Sequence, residues 1–203
     1  MIKNIQQKDL FPTSVLFFVR EKNLTDEEIS FIQNADLEDN SSNYIGTSYD
    51  ILEKKNMSDI KDFCQACVNE YYNEFYGYNS ELIISASWVN KTEPHQSHHM
   101  HYHKNSVLSG VFYLEDTNDC PITFYNRKDY FYFADENPRF FNEYNSQSWL
   151  LSVPEGNSCI IFPSQLDHAV PKNNSNKDRY SIAFNTFFKK DQRIATKATK
   201  LDI

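Results

Sequence analysis

Residues 101–114 read HYHKNSVLSGVFYL, and this stretch decides the fold that the sequence predicts. Its second part, residues 106–114, has the apolar, β-branched and aromatic composition of a buried β-strand. Its first part carries two imidazoles, those of His101 and His103. Because side chains i and i+2 of an extended chain point to the same face, we expect both rings to project together.

A third imidazole can join this pair from a distant part of the chain. All six histidines lie between positions 95 and 168, five of them before position 104, and His168 follows the apolar strand candidate 158–162. Imidazole suits iron, copper, zinc and nickel. We therefore predict a metal site built by His101, His103 and His168. His99 is an alternative ligand, since it forms a second H-x-H pair with His101, and a cupin-like metal barrel satisfies the same spacing.

The rest of the chain places this site in a β-rich fold. Thr25 and Glu28 form a capping box that begins one helix, with Ile29, Ile32 and Leu37 as its apolar stripe. Residues 58–76 show the apolar spacing of a second helix. Seven stretches show the pattern of strands: 14–20, 81–90, 106–114, 122–125, 149–153, 158–162 and 179–188. In the strand at 81–90 we expect Leu82, Ile84, Ala86 and Trp88 to share a face. This order predicts a mainly β (α+β) jelly roll supported by N-terminal helices.

Near the end of the chain, Arg179 and Ser181 lie two residues apart on a predicted strand, so they share a face. A guanidinium binds a carboxylate through two parallel hydrogen bonds, and a hydroxyl beside it adds a third. The pair predicts a carboxylate-binding site one strand away from the metal. Without the histidines nearby, Arg179 and Ser181 would be interpreted as an ordinary surface pair with no ligand.

Composition narrows the function classes. The 203 residues carry a net charge of −8, which disfavours nucleic acid as a partner. No apolar run is long enough to span a membrane, and no signal peptide is visible, so we expect a cytoplasmic protein. The four cysteines are expected to be reduced and buried. The length fits one domain, predicted as residues 1–80 packed on a core of 81–188 with a tail at 189–203.

Residues 101–114 and four further motifs together resemble a family of iron(II)/2-oxoglutarate-dependent oxygenases. The family's W-x-N motif is matched by Trp88-Val89-Asn90, and its H-x-H followed by S-G-V-x-Y-L by residues 101–114. Its F-P-S element, its H-x-V element and its R-x-S-x-x-F-N ending are matched by residues 162–164, 168–170 and 179–185. The motifs occur in order over residues 81–188.

This resemblance implies a double-stranded β-helix that binds Fe(II) and 2-oxoglutarate and uses dioxygen. It implies His101 and His168 as metal ligands and Arg179, helped by Ser181, as the partner of the far carboxylate of 2-oxoglutarate. Asn90 and Tyr113 are expected to contact this cosubstrate, with core packing as the alternative for Tyr113. The implied reaction hydroxylates a small molecule or a peptide and releases succinate and CO2, with no catalytic residue beyond the metal ligands.

One departure from the wider superfamily and one from the family's own pattern leave alternatives open. The wider superfamily has Asp or Glu at the position of His103, so His103 either completes the metal site or lies behind the ligands. The family's D-P-R element is reduced to Asn126-Arg127, and the aromatic-rich residues 127–148 form either a lid or extra packing. The alternative functions are a cupin-like three-histidine dioxygenase that needs no 2-oxoglutarate, and an inactive metal-binding interaction module. A hydrolytic zinc site is disfavoured, because no Glu accompanies the histidines as in H-E-x-x-H.

Overall fold

A computed structural model describes residues 7–126 and 139–189. Within these ranges the two α-helices are α1 (Asp26–Gln33) and α2 (Ser58–Asn69). The eleven strands are β1 (Leu16–Val19), β2 (Leu37–Asp39), β3 (Tyr44–Gly46), β4 (Leu82–Thr92), β5 (His98–His101), β6 (Leu108–Tyr113), β7 (Ile122–Tyr125), β8 (Ser148–Leu151), β9 (Ser158–Pro163), β10 (His168–Val170) and β11 (Arg179–Phe188).

The strands form two antiparallel sheets that face each other. The larger has the order β1-β9-β6-β11-β4-β3-β2, and the smaller has the order β5-β10-β7-β8. Because β6, β9 and β11 lie in the large sheet while β7 and β10 lie in the small one, the chain crosses repeatedly between the sheets. This arrangement is the predicted jelly roll, with the helices of the first 80 residues packed on it.

Local signals mark the start of the first helix and the end of the second. Thr25 caps α1, and Glu28 completes the predicted capping box. The helix ends at Gln33, so the prediction that Leu37 belongs to its stripe was wrong: Leu37 begins β2. The predicted second helix is present as α2 followed by one π-helical stretch, Glu70–Phe75, and it stops before Gly77, whose φ of +73° suits glycine.

A β-bulge changes which side chains of β4 share a face. The register pairs Asn185 with Ala86 but Thr186 with Ile84, so Ser85 is an extra residue. Such an insertion reverses the alternation beyond it. Leu82 and Ile84 therefore pack toward the helices, while Trp88 lines the space between the sheets. The expectation that all of these side chains share one face was wrong for this reason.

The core has two layers. One lies between the large sheet and α2, where Cys64, Cys67 and Cys159 are buried and free like the fourth cysteine, Cys120. The other lies between the two sheets and includes Tyr113 and Phe162. The second layer is incomplete at one end, and a cavity opens there.

Some predictions concern residues 127–138 and 190–203, which lie outside the described residues. These predictions are the role of Arg127, most of the proposed lid at 127–148 and nearly all of the tail. The domain division likewise stays a prediction. Among the described residues, no helix is both long enough and apolar enough to span a membrane.

Candidate metal centre

Three histidines predicted from the sequence meet at the open end of the inter-sheet layer. One ring nitrogen from each of His101, His103 and His168 lies within 4.8 Å of the other two. The ring centroids are 5.1 Å apart for His101 and His103 and 4.3 Å apart for His101 and His168. His101 ends β5 and His168 begins β10, and the register places the two opposite each other. Cross-strand neighbours in such a pair are close enough to share a metal ion.

His103 reaches the cluster by a route that the sequence argument did not predict. Strand β5 ends at His101, so the expectation that both rings project from one extended strand was wrong. His103 lies in the connection to β6, where its backbone N–H donates to the Ser164 carbonyl at 2.9 Å and its carbonyl accepts from the Gln165 side chain at 3.0 Å. These two bonds hold the loop against the turn that precedes His168.

Each of the three rings has its Nδ1 occupied. His101 Nδ1 is 2.9 Å from the His99 carbonyl, and His168 Nδ1 is 2.9 Å from the Leu166 carbonyl. His103 Nδ1 faces the side-chain amide of Asn185 at 3.3 Å. A carbonyl accepts only, so the first two rings carry their proton on Nδ1 and leave the Nε2 lone pair free. This is the arrangement found around histidine ligands of metals.

Burial keeps these imidazoles uncharged. Burial first, and neighbouring imidazoles second, lower the pKa of His168 to about 3 and that of His103 to about 4. The pKa of His101 is also lowered, mainly by burial. Metal binding requires the neutral ring, so the cluster is in its binding form near neutral pH.

A second histidine triad overlaps the first. Ring nitrogens of His98, His99 and His101 also lie within 4.8 Å of one another. Of these, His99 is exposed, whereas His98 lines the cavity, which makes His98 a site residue that the sequence analysis missed. The three residues of β10 span the four of β5, so β5 has one extra residue, a bulge, between His98 and His101. A regular strand would place residues i and i+3 on opposite faces, so spacing alone could not reveal His98.

The large sheet supplies the opposite wall of the cavity. On the central strand β11, Ser181 pairs with Asn90 of β4 on one side and with Tyr113 of β6 on the other. Arg179 lies two residues away on the same face, with its guanidinium carbon 5.0 Å from the centre of the Tyr113 ring. All four predicted residues line the same cavity as the histidines. The structure therefore brings all seven predicted site residues together.

Three buried polar atoms in this wall have no hydrogen-bond partner: Arg179 Nε, Asn90 Oδ1 and Trp88 Nε1. Buried polar groups are almost always paired, since an unpaired one costs about 1–3 kcal/mol. Two of the three atoms are donors, and the third is an acceptor. The wall is therefore prepared for a ligand that carries hydrogen-bond acceptors and negative charge.

The chain resembles known proteins in sequence and in fold. Residues 86–185 match a family model described as "Putative 2OG-Fe(II) oxygenase". The chain belongs to the 2OG-Fe(II) oxygenase family. The match covers the whole cavity wall, from β4 to Asn185, and both histidine-bearing strands. A search of curated protein sequences finds no match.

Solved structures of several oxygenases share the fold. An oxidoreductase of the 2OG-Fe(II) oxygenase family from Burkholderia pseudomallei aligns with a TM-score of 0.54 at 12% identity, over 78% of this chain and 74% of its own. The carbocyclase SnoK from nogalamycin biosynthesis gives 0.61 at 11%, over 88% and 81%. HygX from Streptomyces hygroscopicus, with nickel, 2-oxoglutarate and hygromycin B bound, gives 0.60 at 14%, over 86% and 82%.

The residues of this chain fit the two groups for which the family is named. Three neutral imidazoles provide nitrogen ligands of a type that Fe(II) accepts. An unpaired guanidinium nitrogen beside a serine hydroxyl provides the donors that a carboxylate needs. The cavity encloses about 40 Å³, so its lining side chains must adjust to admit a diacid.

Proposed function

We propose that this oxygenase binds Fe(II) through His101, His103 and His168, binds 2-oxoglutarate against β11, and hydroxylates a small-molecule or peptide substrate. One observation carries the proposal: the histidine triad and the unpaired Arg179 Nε line the same cavity from opposite sheets. Each feature alone has a structural explanation. Together they supply the two groups that hold a metal-chelating diacid.

The inner triad is favoured over the outer one as the metal site. His168 is only 4% exposed and His101 and His103 are half-buried, whereas His99 of the outer triad is exposed. The inner triad also joins two separate parts of the chain, so its geometry is fixed by the β5–β10 pairing. A metal held by side chains on a rigid, partly desolvated frame keeps its geometry during reaction.

The cosubstrate is proposed to lie along the face of β11. The Arg179 guanidinium holds its far carboxylate with two parallel hydrogen bonds, and the Ser181 hydroxyl adds a third. Tyr113, which is 1% exposed, offers its ring as a flat wall under the guanidinium. Trp88 Nε1 remains as a donor for the cosubstrate, whereas Asn90 Oδ1 is an acceptor and needs a water molecule between itself and the cosubstrate.

The chemistry of the reaction comes from the bound groups. Fe(II) with 2-oxoglutarate and dioxygen supplies an oxidant for unactivated C–H bonds, and succinate and CO2 are released. The protein binds and orients these groups, and it excludes water through the apolar side chains Ile122, Phe162 and Val170 that line the cavity. Among the described residues we assign no separate general acid or base.

Two other functions are less well supported. A three-histidine dioxygenase that needs no 2-oxoglutarate leaves Arg179 Nε without a purpose, as does an interaction module. Hydroxylation is the most specific part of the proposal, because structures with this fold also include a carbocyclase and an epimerase, which carry out other reactions. The mass of the product, once a substrate is found, decides between these reactions.

The test is anaerobic titration of the protein with Fe(II) and then with 2-oxoglutarate, followed by succinate release on admission of air. We expect one Fe(II) per chain, and a loss of it in His101→Ala and in His168→Ala. His95→Asn is the matched control, because His95 belongs to the same histidine-rich stretch but has a φ of +71°, which asparagine tolerates, and does not line the cavity. Retention of Fe(II) in both ligand variants, or its loss in His99→Ala alone, would contradict the assignment of the inner triad.

A further inference from the structure

The tautomer of His103 is controlled differently from those of its two neighbours. His101 and His168 each face a backbone carbonyl, which can only accept a hydrogen bond. His103 faces Asn185, whose side-chain amide has a donor at one end and an acceptor at the other. The two amide orientations occupy the same volume. Asn185 can therefore either accept a hydrogen bond from the Nδ1–H of His103 or donate one to the Nδ1 lone pair.

Behind Asn185 runs a chain of three hydroxyls drawn from different strands and loops. Ser109 Oγ is 2.8 Å from Asn185 Oδ1 and 2.9 Å from Ser164 Oγ, which in turn is 2.7 Å from Ser106 Oγ. Ser109 is 2% exposed and Ser164 is fully buried. Ser106 Oγ is 2.9 Å from the Leu108 carbonyl, which can accept the last proton.

Each hydroxyl donates one proton, so the chain has two self-consistent directions. In one, Ser109 donates to the amide oxygen of Asn185 and Ser164 donates to Ser109, which requires Ser106 to donate to Ser164 although the geometry there favours Ser164 as the donor. The amide nitrogen then donates to His103 Nδ1, and the ring proton must lie on Nε2. In the other, every bond is reversed: His103 Nδ1 donates to the amide oxygen, the amide donates to Ser109, and Ser106 ends the chain at the Leu108 carbonyl. Only this second direction leaves the Nε2 lone pair of His103 free.

We infer that Asn185 is a positioning residue that makes His103 a metal ligand by selecting its Nδ1–H tautomer, with the serine chain reversing as the metal binds. This inference rests on the proposed metal centre. It involves no change in the charge of the ring, since one proton is exchanged between the two nitrogens of a neutral imidazole. It also explains how this chain uses an imidazole where the wider superfamily has a carboxylate: a carboxylate needs no tautomer control, whereas an imidazole does.

The test follows the ring nitrogens of His103 by long-range ¹H–¹⁵N NMR of the full chain labelled with ¹⁵N-histidine, with and without Zn(II) as the probe. The His103 signals are identified by their absence in His103→Gln. Asn185→Asp has only acceptors, so we expect the Nδ1–H tautomer even in the metal-free protein and Zn(II) affinity that is retained. Asn185→Leu cannot bond to Nδ1, and we expect it to lower Zn(II) affinity by about 10–100-fold.

Thr186→Val is the control for damage to β11. Thr186 is fully buried, and its hydroxyl bonds to Leu108 rather than to Asn185. This change is expected to lower stability without changing the tautomer of His103. Unchanged Zn(II) affinity in Asn185→Leu, or an Nε2–H tautomer in metal-free Asn185→Asp, would overturn the inference. If Asn185→Leu does not fold, Asn185→Asp decides the question.

The failure of the metal centre itself gives a different result. In that case wild type and His168→Ala bind Zn(II) equally poorly, whereas the metal-free tautomer of Asn185→Asp still reports whether Asn185 controls His103. The two proposals can therefore be refuted separately.

Discussion

Replacing Arg179 with methionine is expected to weaken 2-oxoglutarate binding severely while leaving the fold nearly as stable as before. In the free protein the guanidinium has an unpaired buried Nε and lies 5.0 Å from the Tyr113 ring centre. Removing the unpaired donor relieves about 1–3 kcal/mol, and losing the cation–π contact costs about 0.5–2 kcal/mol. These contributions oppose each other, so the free energy of unfolding should change by less than about 2 kcal/mol.

The effect on binding has no such compensation. Truncating one partner of a desolvated, hydrogen-bonded charge pair costs about 2–5 kcal/mol, which weakens binding from roughly 30-fold to several thousand-fold. The assay is calorimetric titration of 2-oxoglutarate into the Co(II)-loaded protein, with pyruvate as a second ligand. Pyruvate keeps the 2-oxo acid group that chelates the metal but lacks the far carboxylate. We therefore expect Arg179→Met to leave pyruvate affinity unchanged.

Lys91→Met is the matched control, because Lys91 also places a cation over a tyrosine ring, that of Tyr44 at 5.6 Å, but does not line the cavity. Neither ligand should bind differently to it. The assignment of Arg179 is refuted if both ligands lose affinity equally in Arg179→Met, which would indicate a disturbed metal centre. Wild-type affinity for 2-oxoglutarate in Arg179→Met would refute it as well.

Three further changes test the frame around the site. Gly110→Ala would place a Cβ atom 2.2 Å from the ring of Phe184, so the free energy of unfolding in urea should fall by about 1–3 kcal/mol or more. An unchanged unfolding midpoint would contradict the packing of Phe184 against Gly110. Burial lowers the pKa of His168 from 6.5 to about 3, so its contribution to stability is present above pH 6.5 and is lost as the pH falls. His168 alone should make the metal-free protein less stable at pH 5 than at pH 7.5 by about 2 kcal/mol. Burial lowers the pKa of His98 and His103 in the same way and adds to this loss, so His168→Gln should remove about 2 kcal/mol of the pH dependence and leave the rest. Arg20→Met leaves the buried carboxylate of Glu28 without its ion pair, so a loss of about 3–5 kcal/mol is expected, partly restored by Glu28→Gln; equal stability of all three proteins would show that the pair contributes nothing.

The fold was predictable where its signals are local. The Thr25 cap, the apolar strands β7 and β11 and the glycine that stops the second helix each depend on neighbouring residues alone. The short strands β5 and β10 were not predicted, because three or four residues carry little periodicity and their pairing is set by residues 67 or more positions away. The bulge at Ser85 was invisible for the same reason, and it moved Leu82 and Ile84 to the other face.

In the site, too, residue types were predictable from the sequence, whereas contacts between distant segments were not. His101 and His103 were predictable because imidazoles are rare and five of the six lie in one stretch, and His168 was predictable as the one histidine outside that stretch. The geometry that unites them was not, since the structure replaces the expected strand by a loop held through Ser164 and Gln165. The contact of His98 with the cavity was not predicted, and Asn185 was recognised only as part of the R-x-S-x-x-F-N motif, because the positions of both depend on a bulge and on the register between three strands. Non-local pairing decides such contacts, and it leaves no pattern in a single segment.

The use of His103 in place of a carboxylate changes the charge balance of the proposed site. Three neutral imidazoles leave a bound divalent ion with its full charge of +2, whereas a carboxylate ligand would reduce the charge of the set to +1. With the Arg179 guanidinium, the cavity then carries +3 before any cosubstrate enters. A dianion such as 2-oxoglutarate neutralises most of this charge in a desolvated space, where such interactions are strong. The histidine ligand and the guanidinium with its unpaired Nε thus favour the same occupant, and neither the metal nor the diacid should bind as well without the other.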